Sequence, residues 1–79
     1  MRFHPFPDDL VTAQRSWTDT YEELAHPHAT HTTRLRRRLL HLSAQVHFHP
    51  YWAHPHPAAG RRELRELVRE QRAREGRAA

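Results

Sequence analysis

Residues 35–52, LRRRLLHLSAQVHFHPYW, decide the fold, because their apolar residues recur with the period of a helix. At about 100° per residue, one apolar ridge falls within an arc of about 60° and consists of Leu35, Leu39, Leu42 and Val46. A second ridge lies on roughly the opposite side and consists of Leu40, Ala44 and Phe48. Surface helices usually carry one apolar stripe. Two ridges therefore predict a helix that is held between two neighbouring helices.

A candidate helix lies on each side of this segment. Pro7-Asp8-Asp9 is a typical helix start, since carboxylates lie at the positive end of the helix dipole, and His26-Pro27 is a typical stop. Pro57 suits the first turn of the third helix, which should end before Gly76. The predicted helices span about residues 9–25, 32–49 and 58–75.

These patterns predict an all-α fold, in which an antiparallel helical hairpin is extended by a third helix. Residues 1–79 form a single small domain, and residues 1–7 and 76–79 are expected to be flexible. Leu, Ile, Val and Phe together number only 14 of the 79 residues, so the core is marginal. Binding to another protein, or self-association, would stabilise such a domain.

Several classes of function receive no support from the sequence. The chain has no cysteine and no apolar run of about 20 residues, so neither a disulfide scaffold nor a membrane contact is expected. Glycine occurs only at Gly60 and Gly76, which excludes a glycine-rich phosphate loop, and the serines lack a nucleophile-elbow context. We expect a cytoplasmic, non-enzymatic protein with no catalytic residues, no cofactor and no metal.

All 13 basic residues are arginine, and lysine, isoleucine and asparagine are absent, which points to a GC-rich genome. Residues 1–33 carry a formal charge of −3, residues 34–49 carry +4 and residues 50–79 carry +3. Nucleic-acid or acidic-partner contacts are candidates at Arg34, Arg36, Arg37, Arg38, Arg61 and Arg62. The favoured interpretation is that the 34–38 cluster pairs within the chain, with Asp19, Glu22 and Glu23 as the candidate acids. From the sequence alone, pairing of the cluster with an external anion remains the alternative.

Nine histidines suggest a metal-binding alternative, because neutral imidazole is a good ligand for zinc, nickel and copper. The candidates are His26, His28 and His31, which lie in a linker that is long enough to wrap an ion. No cysteine or carboxylate is positioned to complete a ligand set, so solvated loop histidines are the favoured interpretation.

The candidate interaction surface consists of Leu40, Phe48, Tyr51 and Trp52. Tyr51 and Trp52 either plug one end of the helical bundle, which we favour, or form an exposed binding feature. The marginal core and the two ridges predict a small interaction or adaptor protein that contacts another protein or a second copy of itself. A nucleic-acid-binding module and a histidine metal binder are the alternatives.

Two segments, AQRSWTDTYEELA at residues 13–25 and LRRRLLHLS…HPYW at residues 35–52, resemble short uncharacterised proteins of GC-rich actinomycetes. The resemblance covers most of residues 8–52. It implies no particular fold or activity, so it assigns a role to no residue.

Overall fold

The computed structural model describes residues 4–53 and 59–78, and these residues contain three helices and no strand. The helices are α1 (Asp8–Ala25), α2 (Thr32–His47) and α3 (Arg61–Ala78), and a short 3-10 turn over Pro50–Ala53 follows α2. The predicted all-α class, with a helical hairpin and a third helix, is confirmed. The predicted start of the third helix, at residue 58, lies outside the described residues.

The hairpin of α1 and α2 is antiparallel and is held by polar contacts as well as by Leu35 and Leu42, which are buried. The Trp17 indole N–H donates to Ser43 Oγ at 2.7 Å. Nearer the turn, Arg38 Nε donates to Thr20 Oγ1 at 3.3 Å.

The third helix packs against α1, and its buried stripe completes the main core. That core contains Phe6, Leu10, Val11, Leu64, Leu67 and Val68. Leu64, near the start of α3, shares this core with Leu10, near the start of α1. Farther along, Arg72 of α3 pairs with Asp19 and Glu22 of α1. The two helices therefore run in the same general direction. The middle position of the bundle therefore belongs to α1.

The prediction that α2 is held between two helices is wrong. Leu40 is 72% exposed and Phe48 is 78% exposed, so the second ridge of α2 is not covered by the described residues. The narrow apolar stripe of α3 is already buried against α1 and Phe6. Because α1 buries side chains toward both neighbours, α2 needs only its first ridge for packing.

Three aromatic rings close the end of the bundle where α2 gives way to the 3-10 turn. The ring of Phe6 lies 5.5 Å from the Tyr51 ring and 6.4 Å from the Trp52 ring, measured between centroids. The Trp52 indole donates to the Val46 carbonyl oxygen at 2.6 Å. Phe6 is buried, whereas residues 1–7 were expected to be flexible. Residues 1–3 of that segment lie outside the described residues.

Helix α2 starts at Thr32, and the preceding residue, His31, adopts a left-handed backbone with φ 56° and ψ 40° and makes no side-chain cap. The helix ends differ from the predicted bounds at three places. At the other end α2 stops at His47, two residues before the predicted end. The Gly60 N–H donates to the Glu63 carboxylate at 2.9 Å, one half of a capping box, which starts α3 at Arg61. The helix then continues through Gly76 to Ala78 rather than ending at residue 75.

Candidate interaction surface on the second helix

The side of α2 that faces away from α1 forms a mixed apolar and cationic surface, which we call the outward face. Its residues are Arg34, Arg36, Arg37, Leu40, Ala44 and Phe48, all of which are exposed. The apolar members recur every four residues, so Leu40 and Phe48 lie about 12 Å apart along the helix axis. The ring of His47 meets the ring of Phe48 edge-on, with centroids 4.8 Å apart. This face combines apolar area with positive charge.

The arginines of the outward face have no acidic partner in the part of the chain that the structure describes. Among the residues that the structure describes, no ion pair engages Arg34, Arg36 or Arg37. The fourth arginine of the cluster, Arg38, points toward α1 and bonds Thr20. The positive charge at the start of α2 therefore remains uncompensated by the described part of the chain.

The acids that were expected to neutralise this cluster are used elsewhere. Arg72 of α3 lies 3.1 Å from Asp19 through its Nε atom, and its Nη1 donates to Glu22 Oε1 at 2.8 Å. Hydrogen bonding to Arg72 lowers the pKa of Glu22, and the same bond raises the pKa of Arg72. The remaining acid, Glu23, is exposed and forms no ion pair with the cluster among the described residues. The predicted pairing with the 34–38 cluster is therefore not formed.

Arg61 and Arg62 do not join the arginines of the outward face. The guanidinium of Arg61 lies 4.8 Å from the centroid of the Trp52 ring, and its Nη2 donates to the His47 carbonyl at 3.4 Å. Arg62 pairs with Glu66 one turn farther along α3, at 3.3 Å. His47 and Arg34 are separated by about 20 Å along α2, at about 1.5 Å per residue. The predicted basic residues thus form two separate groups.

Tyr51 and Trp52 pack against the core instead of extending the outward face. Both are half-buried, and their rings meet edge-on with centroids 4.9 Å apart. The Tyr51 hydroxyl accepts a hydrogen bond from the Ala59 N–H at 3.2 Å. These contacts are those of a plug on the end of the bundle, so Leu40 and Phe48 are the members of the predicted set that face solvent.

The candidate histidines do not assemble a ligand set. The rings of His26 and His28 lie 6.0 Å apart, and the His28 N–H donates to His26 Nδ1 at 3.2 Å. His31 begins α2 in its left-handed conformation. Within residues 4–53 and 59–78, no three side chains of His, Cys, Asp or Glu lie close enough together to hold a metal ion.

One histidine contact was not expected from the sequence. His49 Nε2 lies 2.9 Å from Asp9 Oδ2, which joins the start of α1 to the segment after α2. This hydrogen bond lowers the pKa of Asp9. Asp9 and His49 are 40 residues apart, so they meet because α1 and α2 pack as an antiparallel hairpin.

Fold and surface together define a small three-helix protein with a basic, partly apolar face on its second helix. The model of a family described as a domain of unknown function, DUF8825, matches residues 9–67, and the chain belongs to this family. The match covers α2 entirely and ends within α3. No curated protein and no solved structure matches the chain. In the described part of the chain, no helix has the length and apolar character needed to cross a membrane.

Proposed function

We propose that this protein is a non-enzymatic interaction module that binds an acidic, amphipathic helix of another protein on the outward face of α2. One observation carries the proposal: an exposed apolar ridge lies beside arginines that have no acidic partner among the described residues. The apolar ridge lacks a covering apolar surface and the arginines lack carboxylates within the described residues. An amphipathic helix with carboxylates beside its apolar stripe provides both.

The apolar half of the contact provides affinity. Leu40 and Phe48 are 72% and 78% exposed. Covering a large apolar side chain contributes about 1.5–3 kcal/mol when burial is complete. The spacing of Leu40, Ala44 and Phe48 matches the i, i+4 spacing by which a partner helix is recognised.

The cationic half provides specificity and speeds association. Arginine presents a planar fork of donors that suits a carboxylate, and complementary charge raises the association rate. Arg34, Arg36 and Arg37 also lie near the positive end of the α2 dipole, where cations are unfavourable. Carboxylates of the partner would relieve this repulsion and stabilise the uncapped start of α2.

Nucleic-acid binding is the second candidate, and the free arginines favour it. Phosphate contacts require positive charge, and their strength falls steeply as salt is raised. They leave no role for the exposed ridge of Leu40 and Phe48. The acidic helix accounts for both features of the outward face, so it is the function that we propose.

The test is fluorescence anisotropy with a labelled synthetic helix that carries leucine at every fourth position and glutamate beside it. A peptide of the same composition in scrambled order is the control ligand. We expect Arg36→Gln/Arg37→Gln to weaken binding by about tenfold at low salt. Leu40→Ser should weaken it at both low and high salt, because apolar burial is not screened.

A matched control separates the outward face from general charge. Arg62→Gln/Arg77→Gln removes the same charge from α3 and should leave the affinity unchanged. Equal weakening by both double variants, or equal binding of the scrambled peptide, would refute the proposal. If the protein binds duplex DNA, and Arg36→Gln/Arg37→Gln abolishes this binding while Leu40→Ser leaves it unchanged, the nucleic-acid alternative would be established instead.

A cytoplasmic location and an actinomycete source are further proposals from the composition and the resemblance. The absence of lysine, isoleucine and asparagine is the feature of the composition that supports a GC-rich source.

A further inference from the structure

A groove separates α2 from α3, with α1 as its floor. It arises because both helices pack on α1 and make few contacts with each other. The groove contains two cavities, of about 290 and 280 Å³, which share Gln14, Trp17 and Arg65 in their walls. We call it the inter-helix groove. The groove adjoins the outward face along α2, because Ser43 and His47 line it and follow Leu40 by three and seven residues, but no residue that defines the outward face lines it.

The floor of the groove is a fixed aromatic ring. The indole of Trp17 is held by its hydrogen bond to Ser43 at 2.7 Å and is stacked on the ring of Tyr21, with centroids 5.3 Å apart and planes at 7°. Trp17 is only half-buried, so part of the ring remains available to a ligand. Beside it, Gln14 is 6% exposed and its amide donates to Thr18 Oγ1 at 3.4 Å.

The α3 wall of the groove carries positive charge that no described acidic residue neutralises. Arg65 and Arg69 are one helical turn apart, both line the groove, and both are exposed. No ion pair engages either of them within the described residues. The acid in the lining is Glu22, which Arg72 already binds. The groove therefore combines an apolar floor with two free guanidinium groups.

We propose that the inter-helix groove binds a small organic anion that has a flat, apolar body and one carboxylate or phosphate group. The body lies against the Trp17 ring, and the anionic group bridges Arg65 and Arg69. Guanidinium groups bind both kinds of anion through paired hydrogen bonds, so the chemistry of the site is the same for either. Each of the two cavities has a volume near the lower end of the range of small-molecule sites. This site is independent of the proposed interaction function.

The test uses phenyl phosphate and benzoate, which share a ring and differ in their anionic group, with inorganic phosphate as the ring-free control. Binding is followed by NMR through the two indole N–H signals. Phenyl phosphate or benzoate should shift the Trp17 signal more than the Trp52 signal, because Trp17 contacts the ligand directly. Whichever binds more tightly identifies the anionic group. Inorganic phosphate should bind at least about tenfold more weakly, because it lacks the apolar contact.

Substitutions then locate the anion. Arg65→Gln and Arg69→Gln should each weaken binding by about tenfold, since each removes a charge-assisted hydrogen bond. Arg62→Gln removes the same charge from the same helix outside the groove, and the affinity should not change. Equal effects of Arg62→Gln and Arg65→Gln would overturn the proposal, as would ring compounds that bind without shifting the Trp17 signal.

Discussion

Replacing Leu10 and Leu40 by alanine should have very different costs, although the two residues are chemically identical. Leu10 is fully buried, so Leu10→Ala removes apolar contacts and leaves a cavity, which costs about 3 kcal/mol. Leu40 is 72% exposed, and only about a quarter of its burial energy can be lost. Because alanine also has a slightly higher helix propensity, Leu40→Ala should change the free energy of unfolding by less than about 0.5 kcal/mol.

The assay is urea unfolding followed by circular dichroism, with the slope of the free energy against urea checked for constancy. A domain of this size has a total stability of about 4–12 kcal/mol, so a loss of 3 kcal/mol is readily measured. If Leu10→Ala does not fold, Val68→Ala gives a milder loss of about 2 kcal/mol at another buried position. A cost of 2 kcal/mol or more for Leu40→Ala in a monomer would refute the placement of α1 between its two neighbours.

Three further predictions follow from individual contacts. Because the pKa values of Asp9 and Glu22 are lowered from 3.8 and 4.5, their pairs stabilise the fold above those values, and stability should fall as pH drops below them. Glu22→Gln should flatten this acid slope in thermal melts, and an unchanged slope would contradict the assignment. Ser43→Ala leaves the Trp17 N–H without its acceptor and should lower the free energy of unfolding by about 0.5–1 kcal/mol, which is measured as a lower urea midpoint. An unchanged midpoint would disprove the contribution of this hydrogen bond. Gly76→Ala places a methyl group in open space within α3 and should raise the melting temperature, with up to about 0.5 kcal/mol of added stability, whereas destabilisation would mean that the helix ends earlier.

The positions of the helices were largely predictable because local chemistry sets them. The two aspartates after Pro7 start α1, and His26-Pro27 stops it. The start of α3 was harder to locate, because it depends on the bond from the Gly60 N–H to the Glu63 carboxylate rather than on Pro57.

The arrangement of the helices was not predictable in the same way. The buried residues of α1 include Gln14 and Thr20, which look like surface residues in the sequence. Thr20 is buried at little cost because its hydroxyl donates to the Ser16 carbonyl at 2.7 Å. In the sequence, a helix with polar residues on a buried side shows one apolar stripe, whereas α2 shows two apolar ridges and therefore predicts two neighbours. Periodicity reports which faces are apolar and does not report which of them is covered.

The candidate surface was predictable in its apolar part and less so in its charges. Leu40 and Phe48 were identified from spacing alone. The loss of Asp19 and Glu22 to Arg72 was not, because 50 residues separate Arg72 from Glu22 and α3 contains seven arginines that the sequence does not distinguish. Pairing over such a distance depends on how α3 packs, which the local pattern does not determine.

Solvent exposure of the Leu40 methyl groups tests most directly whether α1 occupies the middle of the bundle and leaves the outward face open. The measurement is NMR relaxation with a neutral, soluble paramagnetic probe, at concentrations where the protein is monomeric. The structure predicts strong relaxation enhancement for Leu40 and almost none for Leu64, which is fully buried. Equal protection of the two leucines in the monomer would contradict it.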